Sequence, residues 1–132
     1  MAIAVFSTLP EETEALLQRV IGCALQVHRQ LGPGFLESVY TEALCIELEV
    51  QGIPFERERA VVVTYRDRKI PGQRVDLIVG GAVIAEIKSV ARLDPLFQAK
   101  LISYLRTTGL RAGLLVNFNS ELLKDGLKRI VL

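Results

Sequence analysis

Apolar positions in the first third of the chain recur at helical spacing. Leu17, Val20, Ile21, Ala24, Leu25, His28 and Leu31 fall mostly three or four apart and line one face of a helix. Thr8-Leu9-Pro10-Glu11-Glu12 supplies its start, with acids where the helix dipole favours them. Gly32-Pro33-Gly34 stops it. A second helix is predicted from Leu36 to Val50, burying Leu36, Val39, Tyr40, Ala43, Leu44 and Leu48, and Gly52-Ile53-Pro54 ends it. The period then changes. Ala60 to Tyr65 is β-branched and reads as a strand, Arg66 to Lys69 as a charged turn. Gln73 to Val79 and Val83 to Ser89 flank Gly80-Gly81 as a hairpin. Pro95 to Thr107 is a third helix with proline in its first turn. A strand at Gly113 to Asn117, a short turn near Ser120 to Lys124 and a last strand at Lys128 to Val131 complete an α-α-β-β-β-α-β-(α)-β order. That order predicts a mixed sheet flanked by helices in a single domain, residues 1–132, with 1–9 as an N-terminal arm.

The hairpin register decides what its polar residues do, because a slip of one residue exchanges the two faces. A two-residue Gly80-Gly81 loop would set Asp76 opposite Ala85 and mix carboxylates with core on both faces. A three-residue loop, Gly80 to Ala82, pairs Val79 with Val83, Asp76 with Glu86 and Arg74 with Lys88. The other face then becomes wholly apolar: Val75 with Ile87, Leu77 with Ala85, Val79 with Val83. The apolar match predicts this second register, with a glycine at positive φ in the turn. Opposed side chains lie roughly 4.5–5.5 Å apart at Cβ, and two anions that close repel unless a positive group lies between them. A hard divalent cation takes such oxygen ligands, and Lys88 would orient a water or stabilise charge on a phosphate. The residues alone leave a second reading open: a solvated polar face on which Arg74 and Lys88 simply pair with Asp76 and Glu86.

Composition narrows the function classes. Sixteen Lys+Arg stand against fifteen Asp+Glu, a net charge of +1, so a strongly basic coat for nucleic acid is absent and phosphate contacts must come from a local patch. Arg92, Lys100 and Arg106 are candidates for that patch beside Lys88, with a scattered charged surface as the simpler reading. Half the residues are apolar, which excludes disorder for most of the chain. Cys23 and Cys45 form no CxxC and read as small buried hydrophobes. No apolar run reaches the roughly 18 residues of a membrane span. Met1 to Pro10 lacks the basic start and length of a signal peptide, and the expected compartment is cytoplasmic. His28, on the apolar stripe, is expected to be a hydrogen-bonded core residue, Asn117 and Asn119 to make turns, and Glu56 and Glu58 to be solvated.

Asp76 followed by Glu86-Ile87-Lys88 on the next strand resembles the D…(D/E)xK signature of the PD-(D/E)XK nuclease superfamily. More specific is Gly34-Phe35-Leu36-Glu37-Ser38-Val39-Tyr40, which matches GxxExxY. With Val27 to Gly34 and Thr108 to Phe118, the chain is similar to GxxExxY proteins from about Glu12 to Leu132. The resemblance implies a restriction-endonuclease-like α/β fold. It also implies that Asp76, Glu86, Glu37 and the Ile87 carbonyl hold Mg²⁺ or Mn²⁺, with Lys88 as the catalytic lysine. Tyr40, Tyr104, Lys100 and Arg92 would then face substrate, although both tyrosines also read as core aromatics. Residue 75 is Val where the family motif has Pro. Related nucleases often carry QxxxY on the following helix, whereas Tyr104 is preceded at that spacing by Lys100, and Gln98 lies two residues off. Either Lys100 is a second phosphate-facing cation or the site has drifted.

The expected function is metal-dependent phosphodiester hydrolysis on DNA or RNA, with weak, salt-sensitive binding by one domain and a longer groove in a homodimer. The alternative is a non-cutting module of the same fold that binds nucleic acid or a protein partner. A toxin or defence component is a further reading that the sequence does not separate from the first.

Overall fold

The computed structural model describes residues 9–132. The expected Thr8 start and most of the 1–9 arm lie outside the described residues, while Leu9 itself is buried in the core. Helix α1 (Glu11–Leu31) carries Glu11, Glu12 and Glu14 in its first turn and His28 and Arg29 in its last, each sign at the end its dipole favours. It buries Leu17, Val20, Cys23, Ala24 and Val27. Leu25, expected on that stripe, is 39% exposed. Helix α2 (Glu37–Val50) buries Tyr40, Leu44, Cys45 and Leu48. Leu36 and Val39 are exposed instead of buried, because the helix begins only at Glu37 and its core face starts at Tyr40.

Strands β1 (Phe55–Tyr65), β2 (Arg68–Val79), β3 (Val83–Lys88), β4 (Ala112–Asn117) and β5 (Leu127–Val131) form one mixed sheet in that order. All neighbours are antiparallel except β3 and β4, which helix α3 (Pro95–Thr108) connects in parallel. Asp94 caps α3 by accepting the Leu96 N–H at 2.8 Å, and Gly109, at φ 76, ends it. β1 and β2 both start earlier than the pattern predicts. Pro71 and Gly72 stand together against Val62, between the pairs Val61↔Gln73 and Val63↔Ile70, as a bulge. Arg66 and Asp67, both at positive φ, make the two-residue turn.

The β2–β3 register is the predicted one: Leu77↔Ala85, Ile78↔Ile84 and Val79↔Val83, with Gly80 and Gly81 at φ 59 and 66. α1 and α2 cover one sheet face, over Leu77, Val79, Val83, Ala85, Ile87, Leu114 and Val116. α3 covers the other, over Val61, Val75, Ile78, Ile84 and Leu115. Val75 is therefore a correction, since simple alternation put it with Leu77. The alternation breaks at Asp76, where the β1 residue between the partners of Leu77 and Val75 is Glu58, at φ 48. Among the described residues no helix is long and apolar enough to cross a membrane. Cys23 and Cys45 are buried and unbonded to each other.

Candidate active site

The chain order β2–turn–β3 brings the acids together at the end of the short ladder. Pairing is complete only to Leu77↔Ala85. One step further the Asp76 side chain replaces a backbone acceptor: its Oδ2 accepts the Ile87 N–H at 2.8 Å. Glu86 lies beside it, 7% exposed and hydrogen-bonded to Asp76. Burial is the main reason that the Glu86 carboxyl is pushed up to about 9. The hydrogen bond and charge of Asp76 add to the rise, and Lys88 opposes it. Glu86 thus stays protonated beside Asp76 in the bare site.

Lys88 ends β3 half-buried, with Nζ 4.6 Å from the centroid of the Phe97 ring. The backbone beyond it is pinned. Asn117, on the neighbouring strand, accepts the Val90 N–H at 3.0 Å and donates to the Val90 carbonyl at 2.9 Å. Arg74, Asp76, Glu86, Lys88, Phe97, Lys100 and Tyr104 line a cleft of about 90 Å³ between the sheet and α3. Tyr104 is 5% exposed, and burial first, then the charges of Glu86 and Asp76, raise its hydroxyl above the usual range, so it stays protonated. Lys100 enters the cleft from the same helix, one turn before Tyr104.

Glu37 opens α2 on the other side of Asp76. It is exposed, and it lines a separate cleft of about 340 Å³ with Asp76, Thr41, Glu42, Arg57 and Glu58. Partial burial raises its carboxyl, Lys88 lowers it and Asp76 raises it, so Glu37 lies within the field of the acid pair. Among the described residues no three His, Cys, Asp or Glu side chains converge as a metal-ligand cluster; the side-chain set is the Asp76–Glu86 pair. That pair suits a divalent cation nonetheless. Two adjacent hard oxygen donors, one of them buried and held protonated, are an arrangement that a bound cation relieves.

Three expected contacts lie elsewhere. Tyr40 is fully buried. Its hydroxyl donates to the Gly32 carbonyl at 2.5 Å and accepts the Phe35 N–H at 3.1 Å, and its ring stacks on Phe118 at 4.7 Å. Both functions of its oxygen are used in holding the Gly32–Phe35 turn, which fits the core-aromatic reading. Arg92 and Arg106 are exposed and line neither cleft. Ile87 meets the pair through its N–H, while its side chain is buried in the α1–α2 core. His28 is hydrogen-bonded as expected, its Nε2 2.7 Å from the Ser120 carbonyl, but half-buried at the edge of the core rather than within it. Glu58, expected to be solvated, is exposed but faces the second cleft. Phe97 was not anticipated. Its signal was an aromatic at helical spacing with Lys100 and Tyr104.

The fold and this cleft define a nuclease-like α/β protein with a paired acid and lysine on adjacent strands. A family model described as the PD-(D/E)XK nuclease superfamily matches residues 14–130, and the chain belongs to that superfamily. No curated protein and no solved structure matches it.

Proposed function

We propose that the chain is a divalent-metal-dependent nuclease of the GxxExxY kind, hydrolysing phosphodiester bonds in DNA or RNA at the Asp76–Glu86–Lys88 cleft. The observation that carries this reading is the pair of buried Glu86 and half-buried Asp76 beside Lys88 in a cleft that also takes in Lys100 and Arg74. Asp76, Glu86 and the Ile87 carbonyl would hold Mg²⁺ or Mn²⁺, with Glu37 reached from α2. Such an ion lowers the pKa of a bound water and neutralises phosphate charge. The protein's own groups do the rest. The Ile87 N–H fixes the Asp76 carboxylate. Glu86, protonated in the bare site, would give up its proton to solvent on holding a cation. Lys88, held over Phe97, presents its ammonium to the attacking water or the scissile phosphate. Lys100 and Arg74 receive flanking phosphates, and the protonated Tyr104 hydroxyl donates into the cleft. In this reading Lys100 replaces the amide seen at its position in related nucleases with a point charge. Action in the cytoplasm and in a homodimer with a longer groove are part of the same proposal.

The test is nicking of plasmid DNA and of RNA with Mg²⁺ or Mn²⁺. Glu86→Gln and Lys88→Ala should each lower the rate by about 10²-fold or more. Unchanged rates in both variants would eliminate this mechanism. One observation favours a second reading, a non-cutting module of the same fold: among the described residues only two side-chain carboxylates meet. In that case neither ion supports nicking.

A further inference from the structure

β1 and β2 pair far beyond the rest of the sheet. β3 meets β2 only at Leu77, Ile78 and Val79, whereas β1 and β2 stay paired out to Tyr65↔Arg68. Val61 and Val75 are the last buried positions on the two strands, and from Val62 to Arg74 every residue but the half-buried Val63 is exposed. A two-stranded ribbon standing free in water is marginally stable. This one also presents Val62, Tyr65 and Ile70 to solvent, at 42%, 62% and 52% exposure. Its charge is unlike that of the whole chain. Residues 65–74 hold four cations, Arg66, Arg68, Lys69 and Arg74, against the single acid Asp67, while the full sequence is balanced to within one charge. Arg74 lines the acid-pair cleft, so the basic strip starts at the site and runs out to the ribbon's turn. The four residues from Val62 to Tyr65 extend roughly 13 Å at about 3.3 Å per residue. The B-DNA major groove is about 12 Å wide and admits a two-stranded β-ribbon. The A-form RNA major groove is too narrow and deep for side chains to read.

We propose that the β1–β2 ribbon is a duplex-DNA arm. It enters the major groove with Arg66, Arg68 and Lys69 on the bordering phosphates and thereby lays the adjoining backbone across the cleft at Arg74. The functional half of this inference rests on the nuclease reading of the cleft; the DNA contact itself does not.

The experiment is fluorescence anisotropy of the full chain with a short labelled DNA duplex, without divalent metal. The matched single strand and an RNA duplex serve as comparators. Wild type is expected to prefer the DNA duplex. Arg66→Ala/Arg68→Ala/Lys69→Ala should weaken that binding about tenfold or more and flatten the salt slope by roughly 2–3, near 0.9 per lost phosphate contact. The melting temperature of the variant reports whether it is folded, and Lys69→Glu alone is the fallback with the same expected direction. Equal affinity of wild type and a folded variant overturns the arm, as does preference for the single strand or the RNA duplex. A dimer that dissociates in the triple variant assigns the ribbon to a second copy and also overturns it. Nicking with binding indifferent to the triple variant sinks the arm and leaves the cleft chemistry. Arm-dependent binding without nicking does the reverse.

Discussion

Glu86 couples site and stability. Its carboxyl is neutral in the bare fold and ionised in the unfolded chain, with the ordinary value near 4.5 and the folded one about 9. A folded-state value raised this way gives stability that is complete below pH 4.5 and lost as pH rises through 9. The metal-free protein should therefore melt lower at pH 8 than at pH 5. Glu86→Gln, neutral throughout, should gain on wild type by on the order of 2 kcal/mol across that range. Wild type and variant tracking each other from pH 5 to 9 would refute the raised Glu86 carboxyl. Tyr40→Phe removes both hydrogen bonds of a buried hydroxyl and should cost about 1–2 kcal/mol on chemical denaturation. It should leave KM unchanged, and a raised KM would return Tyr40 to the substrate. At this scale the acids and lysine were legible in spacing, because β2 and β3 are consecutive and their turn is short. Tyr40 was legible as a core aromatic, but the partners of its hydroxyl were not, because they are backbone groups of a turn whose shape no residue pattern encodes.

At the level of elements, the hairpin register followed from matching apolar faces, and the pairs Leu77↔Ala85 and Val79↔Val83 agree with it. The turn supplies a sharp contrast. Gly80 and Gly81 both have positive φ, but a Cβ on Gly80 would also lie 2.6 Å from Leu16 Cδ2, whereas one on Gly81 meets nothing. Gly81→Ala should cost about 1 kcal/mol and Gly80→Ala up to about 3. Equal losses in urea midpoints would remove Leu16 from the account. The bulge at Pro71-Gly72 was illegible for an opposite reason. Proline and glycine signal a break, but here they sit where β3 no longer pairs with β2, so the missing N–H leaves no neighbouring carbonyl on that edge unmet. The displacement of Val75 into the α3 layer was equally hidden, since alternation assumes a regular strand and Glu58 at φ 48 departs from one.

At the scale of the molecule, helices on both sheet faces leave the acid pair at the end of a ladder, lining a cleft. Titrating Mn²⁺ while following the melt should raise stability by about 2.7 kcal/mol at a hundredfold excess over Kd, roughly 10 °C for a domain of this size. Glu86→Gln should abolish the rise, and no rise in wild type would favour the non-cutting module. The sequence by itself determined the helices, the mixed α/β class, the hairpin register and the clustering of Asp76, Glu86 and Lys88. Those follow from periodicity and from residues near one another along the chain. Only the tertiary structure decided that Lys100, Phe97 and Tyr104 close the cleft while Arg92 and Arg106 do not, that Glu37 approaches Asp76 from the far side, and that β1 and β2 run on as an exposed basic ribbon. The physical reason is that these relations depend on where α2 and α3 pack on the sheet and where β3 stops pairing, and such long-range geometry has no period along the chain.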